Sequence, residues 1–487
     1  MWFPLERKTR RGTVFAAFWP SSATALCAKT FDVAPLMRSA FQFESTYDDD
    51  LPDAPSDQEL AEAAELRNID EDHPAPSRSP SPRPKRVRLD DVPIRLKHRK
   101  LKRRDARQQA TVTLGQAPRA ATLRDHILAS SSAPIPCQLD ATDLPAAHGA
   151  YTAKNEGKKE KQGSQKRRSL AELLHMGFRL IPWNGRDSRP IIDAQGRIIA
   201  VLAGRPDDPT YLAAADAVYS AMKMEASALH LPRTLFSKRR GAFPALNVGT
   251  YYGKGTRSAT QLDNGVYDPL LARLLANPHL NRMAVYASCE CASLTHASRL
   301  LTHLPYAAVF ALWAPRVYNH YHERDTELRG RFPHLPRIFP KSVFACAALN
   351  FGPDVCTYRH RDSQNAPFGW CSVAALGKFD PTQGGHLVLW DLNLVVEFPP
   401  GATILIPSAT IAHSNVPVNT NAGEERASFT QYTPGGLLRF VDNNFRTEAA
   451  FESEDPEGYA RMCEGKAQRW QMGVGLMSTV AELFESE

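Results

Sequence analysis

The sequence contains no run of about 18 consecutive apolar residues, so neither a transmembrane helix nor a membrane partner is expected. It contains no Cys-x-x-Cys. Its eight cysteines (Cys27, Cys137, Cys289, Cys291, Cys346, Cys356, Cys371 and Cys463) are scattered along 487 residues, the pattern of reduced thiols rather than of a disulfide framework. Cys289 and Cys291 form a Cys-x-Cys, and two thiolates without a second pair make a poor zinc site. The glycine-rich stretch Gly249–Gly255 lacks the Gly-Lys-Ser/Thr ending that cradles a nucleotide phosphate, which leaves a structural turn. Apolar patches in Met1–Leu26 are interrupted by Arg7, Lys8, Arg10 and Arg11, and no clean cleavage site follows, so a secretory signal is not expected. Glycine (28) is outnumbered by proline (37), a balance that points to a disordered portion within a length otherwise ample for a buried core.

Charge locates that portion. The 59 basic and 52 acidic residues give a net of +7, and residues 1–168 hold 29 of the basic and 22 of the acidic ones. The remainder carries 30 of each and is neutral. Residues 44–73 are acid-rich, 74–84 form a Ser/Pro tract, and basic clusters follow at 85–104 and 154–168. Blocks of like charge repel themselves and bury no apolar area, so 1–168 is expected to be a mostly disordered arm, acidic then basic. The basic clusters suit non-specific phosphate contacts, and Pro84–Asp90 reads as a nuclear import signal. Lys238-Arg239-Arg240 is a further basic spot, as well explained by a surface turn as by phosphate.

From Ser169 the texture changes. Ser169-Leu170-Ala171-Glu172 is a capping box opening a short helix that Gly177 can end. Residues 191–202 read as two strands about a turn, and 211–229, 280–302 and 306–328 read as helices. Beyond Pro340, the stretches Val343–Asn350, Trp370–Leu376, His386–Phe398, Thr403–Ile406 and Ala427–Thr433 are β-branched or aromatic-rich and separated by Gly/Pro turns. Many short strands of this kind predict a barrel or jelly roll. The expected organisation is α+β: the arm 1–168, a helical and mixed part 169–335, a β core 336–450, and a closing amphipathic helix in 451–487.

Within the β-rich region lies His360-Arg361-Asp362. Residues two apart on an extended segment project together, so this imidazole and carboxylate can bind one metal ion. His413, in a strand–turn–strand pattern, offers a third ligand. Two histidines and one carboxylate with open positions form the facial triad of non-haem Fe(II) oxygenases. Arg426 opens the next strand with Ser428 facing the same way. An arginine there can hold a carboxylate bidentately, and the serine hydroxyl can add a hydrogen bond.

With these residues in place, positions 341–446 resemble the oxygenase domain of the Tet/JBP family of Fe(II)/2-oxoglutarate-dependent dioxygenases, in its fungal, transposon-associated branch. The resemblance is carried by Lys341–Ala347, Asn350–Asp354, His360–Cys371, Gly384–Leu392, Phe398–Ala409 and Arg426–Tyr432, with a further match at Asp193–Pro206. It covers roughly residues 170–450 and leaves the N-terminal arm outside. It implies a double-stranded β-helix with flanking helices. It implies that His360, Asp362 and His413 bind Fe(II), and that Arg426 and Ser428 hold the distal carboxylate of 2-oxoglutarate. His386 falls on a histidine that contacts the cosubstrate near the iron, or is a turn histidine after Gly384-Gly385. Asn365 matches a position that reads the substrate base, or is a turn residue.

The implied substrate is a methylated base in duplex DNA, chiefly 5-methylcytosine, flipped out of the stack because a buried metal cannot reach it otherwise. Tyr251, Tyr252, Phe368 and Trp370 are candidates to stack on it, with core packing the commoner fate of such rings. The sequence departs from animal relatives at Thr433-Pro434-Gly435, where some carry a base-contacting histidine, and in having no cysteine-rich zinc region. Base identity and extent of oxidation therefore stay open. N6-methyladenine, RNA or protein remain alternative substrates, and a lapsed, transposon-associated binding protein remains the non-enzymatic alternative. A nuclear location and a monomer are expected.

Overall fold

The structure, a computed structural model, describes residues 2–8, 14–20, 133–154, 166–206, 208–229, 240–253, 255–288 and 309–484. The acidic tract, the import-like run, the basic cluster at 85–104 and the middle of the cluster at 154–168 lie outside the described residues. The chain divides into two units, Met1–Asp91 and Val92–Glu487. In the first, β1 (Trp2–Lys8) pairs antiparallel with β2 (Val14–Pro20), from Trp2 opposite Pro20 to Lys8 opposite Val14.

The second unit is a mixed α+β fold. It begins with β3 (Ile135–Pro136), then α1 (Leu170–His175), where the capping box forms as expected: Ser169 Oγ accepts from Glu172 N, and the Glu172 carboxylate accepts from Ser169 N. β4 (Arg179–Ile181), β5 (Arg189–Ile192) and β6 (Ile198–Gly204) follow, then α2 (Thr210–Leu229), β7 (Ala245–Tyr251) and β8 (Thr260–Gln261). Next come α3 (Asp268–Leu275), α4 (Pro278–Ala287), α5 (Val309–Trp313) and α6 (Pro315–Arg331). The helix expected over 306–328 is thus two. Pro315 has no N–H to give the preceding turn, so it ends α5 and serves as the first residue of α6.

The β-rich part holds β9 (Cys346–Asn350), β10 (Cys371–Lys378), β11 (Leu387–Leu389), β12 (Leu394–Val396), β13 (Thr403–Ile406), β14 (His413–Asn415) and β15 (Glu425–Tyr432). His386–Phe398, expected as one strand, is a tight hairpin. A turn of 3-10 helix at Trp390–Leu392 and Asn393 in the left-handed region (φ 51°) reverse the chain between β11 and β12. A nine-stranded sheet runs β3-β5-β6-β13-β10-β15-β9-β7-β8, and a four-stranded sheet runs β14-β11-β12-β4.

Alternation along the strands builds the layers. In β13, Ile404 and Ile406 face Leu387 and Leu389 of β11 and Leu394 and Val396 of β12. Leu405 faces the other way, into a core shared with Tyr211 of α2, Met283 of α4, Phe310 of α5 and Tyr321 of α6. The small sheet likewise turns Val388 and Val395 outward onto Leu173 of α1 and Phe178. Every residue of β13 is therefore buried, and each Ile or Leu so placed contributes about 1.5–3 kcal/mol. The site lies where the two sheets face each other.

The C-terminal region, expected as one helix, is four short ones after α7 (Gly435–Asp442): α8 (Glu448–Glu454), α9 (Pro456–Gly465), α10 (Arg469–Gly475) and α11 (Val480–Phe484). Pro456 and the glycines at 465 and 475 set the breaks.

The folded body also starts earlier than the sequence suggests. Residues 133–154, assigned to the arm, form a strap across it. Ile135 pairs with Ile191, Ala141 N donates to Asp193, and the Tyr151 hydroxyl donates to Asp442 at 2.6 Å. Arg469 lies over the Tyr151 ring at 4.4 Å, and Ala153 N donates to Ser363 O at 2.8 Å. A short segment poor in strand pattern hides this role, because the contacts that hold it to the body are with residues distant in sequence.

Candidate metal centre

His360, Asp362 and His413 come together. His360 and His413 exchange both backbone hydrogen bonds (3.0 and 2.9 Å) as an isolated antiparallel bridge, which sets their rings 4.3 Å apart. Asp362 N donates to Ser408 O at 2.9 Å, which fixes the carboxylate beside them. The Nε2 atoms of His360 and His413 lie 3.8 and 3.9 Å from the two oxygens of Asp362. One donor atom from each of the three lies within 4.8 Å of the others. Each Nδ1 faces a backbone carbonyl, Tyr358 O at 2.7 Å for His360 and Ile411 O at 3.0 Å for His413. Those carbonyls hold the proton on Nδ1 and leave the Nε2 lone pairs toward the carboxylate. Burial first, and then the neighbouring His413, hold the His360 imidazole well below its ordinary pKa; burial also lowers that of His413. Two neutral imidazoles and one carboxylate, all buried or nearly so, are a donor set that fits a divalent transition metal with open positions.

Among the described residues, no acid pairs with Arg426. The residue is 3% exposed, and Nη1 donates to Val355 O at 3.0 Å. Nε is buried without an acceptor, and among the described residues no carboxylate pairs with the side chain. Burial pushes its pKa down to about 10. The edge left without partners, Nε with Nη2, presents two parallel N–H groups, the fork that grips a carboxylate. Ser428, on the same face two residues on, is also buried, and its Oγ accepts from Asn350 Nδ2 at 2.9 Å. Leaving a buried guanidinium unmatched costs several kcal/mol, so this cradle fits a carboxylate guest.

His386 is fully buried, and among the described residues neither ring nitrogen has a hydrogen-bond partner. Its neighbour Gly385 packs against the Phe379 ring, over which the Arg426 guanidinium also sits, 6.0 Å from the centroid. Asn365 N donates to Asp362 O at 2.8 Å, and its Nδ2 donates to Ser408 Oγ (3.2 Å) and Cys371 Sγ (3.3 Å). Its donors are thus engaged and its Oδ1 is the remaining acceptor. Of the aromatic candidates, Phe368 and Trp370 are core residues and Tyr252 stacks on Phe440 at 4.4 Å; Tyr251 is half-buried on β7.

Several contributors escaped the sequence reading. Asp391 accepts from Arg361 Nη2 and from Ala412 N, both at 2.6 Å, so one carboxylate ties the His360–Asp362 segment to the one carrying His413. Arg240, read as a surface turn or phosphate contact, reaches Asp362 at 3.6 Å. Tyr432 shares the face of Arg426 and Ser428 and donates to Asn247 Oδ1 at 3.2 Å. An Asp after an aromatic and an Arg in a basic run carry no signal of partners 30 or 120 residues away. Tyr432 had a signal, the period-two spacing from Arg426.

No family model matches the sequence, and no curated protein matches it. Among solved structures, NgTET1 in complex with 5mC DNA is similar over 58% of this chain and 93% of its own, at 12% identity and a TM-score of 0.35. The functional reading therefore rests on the residues of the site.

Proposed function

We propose that this chain is an Fe(II)/2-oxoglutarate-dependent dioxygenase of the Tet/JBP type that oxidises methylated bases in DNA, 5-methylcytosine first among them. The observation that carries the reading is a pair of features in one fold: a buried His360–Asp362–His413 donor set, and a buried Arg426 fork without an acid. Either alone has many explanations. Together, between two facing sheets, they support a metal with a keto-dicarboxylate beside it, and the sheets are then the double-stranded β-helix of that class. The substrate rests on the motif resemblance around His360–Cys371 and Arg426–Tyr432.

His360, Asp362 and His413 would hold the iron, and Arg426 with Ser428 would hold the distal carboxylate of 2-oxoglutarate. Bound iron and keto acid supply the oxidising chemistry: dioxygen, 2-oxoglutarate and a methyl C–H give succinate, carbon dioxide and a hydroxymethyl group. The chain's own residues bind and orient. Arg426 would offset the dianion's charge in a buried site, with the Phe379 ring 6.0 Å from its guanidinium. His386, buried with no partner on its ring nitrogens among the described residues, would offer a neutral imidazole to a polar guest. Asn365 Oδ1, the acceptor its bonds leave over, matches the exocyclic N4–H of a flipped cytosine. The basic clusters at 85–104 and 154–168 would hold DNA by its phosphates and direct the protein to the nucleus.

Nucleoside mass spectrometry of a 5-methylcytosine duplex incubated with protein, iron and 2-oxoglutarate tests the reading. Hydroxymethylcytosine is expected, with loss of product in His413→Ala. Product from an N6-methyladenine duplex or RNA instead moves the substrate assignment, and absence of succinate in every arm removes the enzyme.

A further inference from the structure

We propose that Asn350 is a positioning residue that fixes the Ser428 hydroxyl as a hydrogen-bond donor to the distal carboxylate of the cosubstrate, and so helps set its affinity. The proposal rests on the reading of Arg426 and Ser428 as a carboxylate cradle. Asn350 ends β9 and stands directly opposite Ser428 of β15 in the sheet register. At that position its Nδ2 reaches Ser428 Oγ at 2.9 Å. A hydroxyl has one proton and two lone pairs, so an amide donor on the oxygen leaves the O–H free to donate elsewhere. Ser428 is 5% exposed, and among the described residues no protein acceptor takes its proton.

The free proton has an obvious direction. Arg426 lies two residues earlier on the same face, with the Nε–Nη2 edge also lacking an acceptor. Arg426 Nε and Nη2 and the Ser428 hydroxyl are therefore three donors without an acceptor among the described residues, a pattern that suits a planar anion with several lone pairs. An acid at position 350 would undo this twice. Its carboxylate would draw the serine proton to itself, and its charge would compensate Arg426 from within the protein. Asparagine has the same reach and supplies a donor, with no charge.

Equilibrium dialysis of 2-oxoglutarate against anaerobic, Mn(II)-loaded protein reads the effect without turnover. Asn350→Ala, Ser428→Ala and the double variant form a cycle. Each single variant is expected to weaken 2-oxoglutarate binding about fivefold to tenfold, with Mn(II) affinity unchanged. The double variant is expected to bind within about twofold of Ser428→Ala, because Asn350 acts through that hydroxyl. Wild-type affinity in Asn350→Ala, or losses that multiply in the double variant, overturns the proposal. Asn350→Asp, of the same shape, carries the test if the alanine variant fails to fold: a loss greater than tenfold is expected, and unchanged binding overturns it. If the wild-type protein binds no 2-oxoglutarate, the cradle reading itself falls, and the two failures stay distinct.

Discussion

A single carboxylate, Asp391, joins the two segments that carry all three candidate metal ligands. Arg361, between His360 and Asp362, donates to one of its oxygens, and Ala412 N, next to His413, donates to the other. Arg361 Nε also donates to Thr410 O at 2.9 Å, so the tie has two strands. Outer partners of this kind typically contribute tenfold to a hundredfold in metal affinity. Asp391→Asn is therefore expected to weaken Mn(II) or Co(II) binding about tenfold or more, while the melting temperature shifts little; unchanged metal affinity would remove the role. Asn365, proposed above to read the base, makes a different prediction. Asn365→Ala is expected to lower kcat/KM on methylated duplex about tenfold to a hundredfold, at unchanged 2-oxoglutarate affinity. Equal losses in both readouts would mean that the loop has collapsed. At this scale the sequence was informative where chemistry and spacing coincide: His360 and Asp362 two apart, Arg426 and Ser428 two apart. Asp391 and Arg240 were invisible, since their partners are fixed only by the fold.

At the scale of elements, Thr403–Ile406 was legible to the residue, because an apolar run bounded by Gly401 and Pro407 has one reading in a fully covered strand. His386–Phe398 was misread as continuous because Asn393 is a lone turn residue among apolar neighbours. The strap at 133–154 was lost altogether, and it changes where the molecule can be cut. Its Tyr151 bonds Asp442, and its Ala153 bonds Ser363, three residues after His360. A side chain on Gly435 would overlap the Tyr151 carbonyl, so the strap and the start of α7 are built to touch. Removal of residues 1–130 is expected to leave the cooperative melt and 2-oxoglutarate turnover intact while weakening DNA binding. Removal of 1–168, which the charge map alone would recommend, takes away the strap. It is expected to lower the melting temperature by about 5 °C or more and to reduce base oxidation. Equal melts for the two truncations would show that the strap contributes nothing to the body.

At the scale of the whole molecule, the folded body is expected to be acid-sensitive for reasons that do not involve its net charge. His320 and His386 are buried, and burial holds both imidazoles down to about 4; for His320 the nearby Arg324 adds to it. An exposed histidine in the unfolded chain titrates near 6.5. Between these values the folded protein keeps both rings neutral, whereas the unfolded chain takes up protons. Stability is therefore full above about pH 6.5 and falls as the pH drops toward 4, by up to about 3 kcal/mol for each ring. The carboxylates held low by their partners, such as Glu225 beside Arg273, lose their contribution only as the pH falls below the ordinary carboxylate range. Denaturant midpoints measured at pH 7 and pH 5 on metal-free protein should thus differ, and replacing His320 by Phe should reduce the difference. His320 packs edge-on against Phe368, 5.4 Å between ring centres, so an aromatic replacement keeps the packing while removing the proton site. A pH 5 loss of the same size in His320→Phe would place the acid sensitivity in other groups. Retention of more stability than wild type at pH 5, but not at pH 7, would assign it to this buried ring, which α6 holds against Phe368 in the loop that follows Asn365.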